Sequence, residues 1–308
     1  MTISNYNKNV VVIAGPTAVG KTELTLQLAE TLKSVIISAD SRQFYKELNI
    51  GTAKPEKKEL EQVKHYFINN LSIGDYYNVS RFEKEVLDCL EKLFTTSDVV
   101  LLTGGSGLYI DAFCAGIDDL PEPDSELRRK LFDIYKTHGI YELRFMLKKY
   151  DPEYYDMVDL ANPKRIMRAL EVCMGTGLKY SQLRTKPSRE RHFNIIKIGL
   201  ERPRAELFER INHRVEIMFE KGLLEEARKL WPHKQLNALN TVGYKELFQY
   251  FEKKISFETA KEKIKTNTRR YAKRQMTWFK KDNDFVWFHP DEKEKIINHI
   301  KAHAHIEL

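Results

Sequence analysis

No stretch of the 308 residues approaches the roughly 20 consecutive apolar side chains that carry a helix across a membrane, so no membrane-spanning segment is predicted. Cysteine is scarce. Cys89, Cys114 and Cys173 lie far apart, without a C-x-x-C pair or metal-ligand spacing. This argues against a disulfide scaffold or a structural zinc site and predicts reduced, mostly buried thiols. The start, MTISNYNKN, is polar and lacks the apolar core of a secretory leader, which predicts a cytoplasmic protein. No internal repeat or low-complexity linker is present. Acidic residues are outnumbered, 44 against 51 Lys and Arg, for a net charge of +7. The imbalance is local: between Lys253 and Lys281, eleven Lys and Arg face two Glu. Such a block is either a solvated helix face or a stripe that contacts phosphates.

What is present is an ordinary soluble composition, 42% hydrophobic and 31% charged, long enough for one large domain or two moderate ones. Its most informative segment is G-x-x-x-x-G-K-T, formed by Gly15, Pro16, Thr17, Ala18, Val19, Gly20, Lys21 and Thr22. The apolar run Val10–Ile13 before it reads as a buried strand. Leu24, Leu28 and Leu32 after it have helical spacing. Strand, loop and helix in that order make a phosphate-binding loop. Its backbone N–H groups and the helix N-terminus would close around a diphosphate or polyphosphate such as ATP. Lys21 would hold the outer phosphates and the Thr22 hydroxyl would face Mg²⁺.

The first third alternates strands and helices. VVVIAG, SVIISAD and DVVLLTGG are short apolar runs, with helical segments such as Phe82–Phe94 between them. This predicts a P-loop-type α/β core with a parallel sheet covered by helices. Ligands of such sheets bind beyond the carboxyl ends of the strands, here Gly15–Thr22, Asp40–Gln43 and Thr103–Gly107. After Gly116 the composition shifts to acidic turns and helices. Asn162 is an N-cap signal, with Pro163 at the first helical position. Strand character returns at 193–200, and the tail from Pro203 reads as helical. The predicted organisation is a core over 1–116, a helical insertion over 117–192, and a return to the core with basic C-terminal helices over 193–308.

The third apolar run ends in Thr103 and glycines, where many nucleotide hydrolases place an Mg²⁺-binding Asp. That lowers the case for ATP hydrolysis. Asp40, at the end of the second run, could accept a proton, hold Mg²⁺ through water, or merely cap a helix. Ser41, Arg42 and Gln43 follow it, and a Gln amide suits the edge of an adenine. GTAKP (Gly51–Pro55) and GGSGLY (Gly104–Tyr109) are polar loops that could be turn chemistry alone.

GPTAVGKT, ADSRQFYKELNIGTAKP, GGSGLYIDAF, NPKRIMRALEV, TVGYKEL and TRRYAKRQMTWF occur in that order, from Gly15 to Phe279. In these segments the chain resembles the tRNA dimethylallyltransferases, also called tRNA isopentenyltransferases. The resemblance implies transfer of a dimethylallyl group from dimethylallyl diphosphate to the exocyclic N6 amine of an adenosine. That adenosine lies just 3′ of the anticodon, at tRNA position 37, in tRNAs reading codons that begin with U. The loop would then bind the leaving diphosphate, with Mg²⁺ on Thr22.

By the same resemblance Asp40 is the base, Arg214 stabilises the leaving group and Thr17 lies near the reacting centre. Asp40, Ser41, Arg42 and Gln43 would meet an extruded base. Ser106, Arg128, Lys164, Arg165, Arg168, Thr241, Gly243, Tyr244, Arg270, Lys273, Arg274 and Gln275 would touch the anticodon stem-loop. Arg42 stands where the family often has Met or another apolar residue. On a helical wheel Arg269, Lys273 and Lys280 share one face and Arg270, Arg274 and Lys281 the next; Tyr271, Gln275 and Trp278 form a third side suited to packing or base stacking. Competing readings are an adenylate isopentenyltransferase acting on a free nucleotide, a P-loop small-molecule kinase, and an RNA-binding module with a vestigial loop. A monomer suffices for the proposed site.

Overall fold

A computed structural model of the chain describes residues 7–122, 124–185 and 189–304. The polar start that argued against a leader lies largely outside them. The strands are β1 (Asn9–Ala14), β2 (Ile36–Ser38), β3 (His65–Tyr66), β4 (Val99–Gly104), β5 (Asn194–Leu200) and β6 (Val286–Phe288). The helices are α1 (Lys21–Thr31), α2 (Lys57–Gln62), α3 (Val79–Leu93), α4 (Gly107–Ala115), α5 (Ser125–Tyr150), α6 (Pro152–Met157), α7 (Pro163–Thr176), α8 (Tyr180–Leu183), α9 (Arg204–Glu220), α10 (Leu223–Leu230), α11 (Tyr244–Phe251), α12 (Phe257–Phe279) and α13 (Lys293–Ala304). Two compact units result. One runs to Cys114 and resumes at Glu190; the other is Ala115–Arg189, where sequence reasoning places the insertion at 117–192.

The larger unit is built on a six-stranded sheet in the order β3-β2-β4-β1-β5-β6, with every pairing parallel. Side chains alternate between its faces, as a period of two requires. Val10, Val12, Val100, Leu102 and Ile37 enter one core, with Phe82, Val86 and Leu247. Val11, Ile13, Val99, Leu101 and Ile36 enter the other, with Leu28, Ile211 and Ile300. Burial on both faces explains why the strands read as continuous apolar runs rather than alternating ones.

β3 and β6 escaped the sequence reading because two or three residues carry no measurable period. β6 corrects the expectation that everything beyond Pro203 is helical: Val286–Phe288 adds to the open edge of β5. The strand order also settles what lies beside the P-loop strand. The neighbours of β1 are β4 and β5, and neither ends in an Asp. Thr103 stands at the end of β4. Its hydroxyl donates to the Ile13 carbonyl and accepts from Thr25.

The smaller unit is helical, with a core of Leu131, Leu143, Leu147, Tyr154, Ile166, Ala169 and Leu170. Asn162 caps α7 by accepting the Arg165 N–H, and Pro163 occupies its first turn. Asp151 is the polar centre of this unit and is fully buried. Its carboxylate caps α6 through the Tyr154 N–H at 3.0 Å. It also takes the Ser181 N–H at 2.7 Å and the Ser181 hydroxyl at 2.8 Å. Asp151→Ala leaves those donors unpaired and is expected to destabilise the protein by about 3 kcal/mol, read by urea unfolding.

Candidate active site

β1 delivers the chain into the loop Gly15–Thr22, and Lys21 opens α1. Four carbonyls of the loop are held by cationic side chains. Lys21 Nζ donates to Gly15 O at 2.9 Å and Pro16 O at 2.8 Å. Arg210 Nε donates to Ala18 O at 2.9 Å, and Arg202 Nε to Val19 O at 2.8 Å. Planar peptides cannot turn once their carbonyls are fixed. The loop is therefore pre-set around the N-terminus of α1, with its partial positive charge toward the cavity. Ala18 is held at a φ of 65°, a left-handed conformation that costs a residue with a Cβ and recurs at ligand loops. Val19 is fully buried and anchors the loop in the core.

Arg202 and Arg210 were missed by sequence reasoning. They lie far along the chain, and only the placement of β5 beside β1 and of α9 behind the loop brings them there. Arg202 is itself oriented by Glu206 and by Asp291 at 3.0 Å.

Thr17, Lys21, Thr22, Asp40, Arg214 and Tyr271 line one cavity of about 1140 Å³. Burial pulls the Lys21 ammonium down to about 7; the Asp40 carboxylate opposes this and the Arg214 guanidinium adds to it. Burial likewise lowers the Arg214 guanidinium, with Asp40 opposing and Arg210 adding. The Tyr271 hydroxyl is raised to about 12, first by burial and then by Asp40. A surplus of half-buried positive charge around one carboxylate is an environment for a polyanion. Arg214 is thus no ordinary surface residue.

Asp40 follows β2. Its Oδ1 accepts the Arg42 N–H at 3.0 Å in a tight turn, and the next helical turn begins only at Ile50. The helix-cap reading of Asp40 is not met. The Ser106 hydroxyl accepts the Ser41 N–H at 3.0 Å and donates to the Ser41 hydroxyl at 3.1 Å. Gln43 Oε1 accepts from Ser38, while its Nε2 makes only 3.4 Å contacts to Thr52 O and Ala53 O. Arg42 Nη1 donates to Asn237 O at 3.0 Å and Ala238 O at 3.1 Å.

Several residues expected to touch RNA are occupied otherwise. Tyr244 is fully buried and its hydroxyl donates to Glu226 at 2.7 Å, so it cannot reach an RNA surface. Gly243 is buried, and its N–H donates to Glu246 at 2.9 Å; Thr241, beside it, lines the cavity. Gln275 is 6% exposed, with both amide atoms bonded inside the protein. Arg128 forms a two-point pair with buried Glu171, at 2.6 and 3.0 Å, and Arg168 donates to Pro121 O.

The basic stretch also divides. Lys261 and Lys265 pair with Glu216, Arg269 donates to Asn212 and Lys280 pairs with Glu201. Arg270, Lys273 and Arg274 are exposed on α12, with Arg274 5.8 Å from the Tyr271 ring centroid. Lys164 and Arg165 are exposed in the first turn of α7, where the helix dipole disfavours cations.

Glu226 on α10 is a further residue that no sequence signal flagged. Its carboxylate accepts three successive N–H groups, from Asn49 at 3.1 Å, Ile50 at 2.9 Å and Gly51 at 2.9 Å, together with the Tyr244 hydroxyl. It thereby fixes the loop whose carbonyls face Gln43. Glu226→Gln turns an N–H₂ group toward those donors and is expected to destabilise the protein by roughly 1.5–3 kcal/mol, measured by thermal and urea unfolding.

Residues 43–282 match the family model described as IPP transferase. The chain is 52% identical over 295 residues to tRNA dimethylallyltransferase 1 of Bacteroides fragilis, covering 96% of this chain and 98% of that one. It is 50% identical over 295 residues to tRNA dimethylallyltransferase of Christiangramia forsetii, covering 96% and 97%. Among solved structures, the full-length tRNA isopentenylpyrophosphate transferase of Bacillus halodurans superposes with a TM-score of 0.72 at 32% identity, with 97% of each chain covered. A eukaryotic dimethylallyltransferase acting on tRNA gives a TM-score of 0.76 at 26% identity over 96% of this chain and 77% of that one. With a pre-set phosphate loop, a carboxylate facing it, and this likeness over nearly its full length, the chain belongs to the IPP transferase family of tRNA dimethylallyltransferases.

Proposed function

We propose that this enzyme moves a dimethylallyl group from dimethylallyl diphosphate to N6 of the adenosine just 3′ of the anticodon, in tRNAs reading codons that begin with U, and releases diphosphate. One observation supports this above the others: a phosphate loop ringed by Lys21, Arg210 and Arg214 shares its cavity with Asp40, while neither strand beside β1 ends in an Asp. That arrangement suits a departing diphosphate and an acceptor that must lose a proton better than it suits ATP hydrolysis. Relatives named for tRNA, together with exposed Arg270, Lys273 and Arg274, favour a tRNA acceptor over a free nucleotide.

An adenine exocyclic amine is a weak nucleophile because its lone pair is delocalised into the ring. As N6 bonds to C1 of the allyl group, the C1–O bond breaks and diphosphate leaves with its electron pair. Asp40 takes the N6 proton. Its Oδ1 is engaged by the Arg42 N–H, which leaves Oδ2 to receive the proton. Lys21, Arg214 and the α1 N-terminus stabilise the charge that develops on the leaving group. Thr17 lines the same cavity as Asp40 and Lys21. The Thr22 hydroxyl suits Mg²⁺ shared with substrate phosphates better than an all-protein cage, and no cluster of three His, Cys, Asp or Glu occurs among the described residues. When bound, the ion would supply further neutralisation of the leaving diphosphate.

The test is transfer of labelled dimethylallyl, with unmodified tRNA and AMP offered separately as acceptors. Label in tRNA alone is expected; label in AMP moves the chain to the free-nucleotide branch. Asp40→Asn is expected to lower kcat roughly 10²–10⁴-fold while leaving tRNA affinity nearly unchanged. Arg274→Ala is expected to weaken tRNA binding and reduce the slope of log affinity against log salt by about 0.7–0.9. An unchanged slope removes Arg274 from the phosphate contacts.

A further inference from the structure

We propose that Gln275 is a positioning residue that sets the register between the diphosphate cradle and the base, rather than a contact to RNA. The proposal rests on the reading of the loop as that cradle and of Asp40 as that base. Gln275 lies on α12 among the exposed Lys273, Arg274 and Trp278, yet its own side chain is buried. Its Oε1 accepts the Thr17 N–H at 2.9 Å, within the phosphate loop. Its Nε2 donates to Gly105 O at 2.8 Å, just beyond β4. The next residue, Ser106, accepts the Ser41 N–H, and Ser41 adjoins Asp40. One amide therefore joins the end of β1 to the end of β4, and Ser106 carries the connection to the end of β2.

The residue type follows from the two partners. The site needs one acceptor and one donor, on opposite sides of a planar group, which a primary amide supplies. Reversing the amide would set N–H₂ against the Thr17 N–H and oxygen against Gly105 O, so the network fixes its orientation. A carboxylate would serve Thr17 but repel the Gly105 carbonyl. A Cβ on Gly105 would lie 2.2 Å from Gln275 Nε2, so a bare Cα at 105 is what admits the amide.

The geometry separates positioning from RNA contact. If Gln275 holds the loop, its loss must act on diphosphate; if it touches RNA, its loss must act on tRNA. The full-length chain and its Gln275→Ala, Gln275→Glu, Gly105→Ala and Gly105→Ala/Gln275→Ala variants are compared. Inorganic diphosphate binding is measured by calorimetry, tRNA binding by fluorescence anisotropy, and kcat and KM by dimethylallyl transfer. Each Gln275 variant is expected to bind inorganic diphosphate roughly tenfold more weakly, the scale of one buried hydrogen bond. A fall in kcat and wild-type tRNA affinity should accompany this, and the retained tRNA binding reports that the variant is folded. Gly105→Ala, which displaces the amide, should show the same split, and the double variant should be no worse than either single one. Weakened tRNA binding with diphosphate affinity and kcat intact overturns the proposal, as does equal loss of both ligands. A wild-type chain that transfers no dimethylallyl group fails the reading beneath it instead, and the binding split then decides whether Gln275 organises the loop.

Discussion

The site depends on the close approach of strand ends at the carboxyl edge of a parallel sheet. β2, β4 and β1 run side by side in fixed register, and the turns beyond them carry Asp40, Ser106 and the phosphate loop. The approach between the first two is tight: a Cβ on Gly104 would lie 2.4 Å from the Ala39 carbonyl oxygen. A larger residue there would part β4 from the turn that presents Asp40. Everything chemical in the larger unit is referenced to that edge, and the buried valines, leucines and isoleucines of the sheet hold it rigid.

On this frame the protein assembles more positive charge than its one nearby carboxylate balances. Lys21, Arg210 and Arg214 converge on a half-buried cavity with Asp40 as their counter-charge, and burial drives Lys21 well below the ordinary lysine range. Like charges held together in a desolvated pocket cost folding free energy. The expense is recovered when an anion with several oxygens enters, a common exchange of stability for function.

Features set by local sequence were legible. The phosphate loop, four of the six strands and the Asn162–Pro163 helix start are encoded in contiguous residues whose spacing alone dictates conformation. Features that depend on distant partners were not. Arg202 and Arg210 meet the loop only after the chain has crossed the sheet, and Glu226 gathers three N–H groups from a loop more than 170 residues away. Helical periodicity grouped Gln275 with Tyr271 and Trp278, because a wheel gives direction but not depth; all three line the cavity, but Gln275 is buried with both amide atoms bonded inside the protein. Tyr244 shows the corresponding limit of motif likeness, which locates a segment at the site without saying which of its side chains face outward.

The place of β4 has a consequence for reach. The strand that feeds the phosphate loop and the strand that ends at Asp40 are not neighbours, and β4 separates them. Two inter-strand steps amount to about 10 Å. The sheet thus works as a ruler: it sets the Asp40 turn two strand spacings from the phosphate loop, a gap suited to a ligand that puts a short carbon unit between its phosphates and the atom under attack.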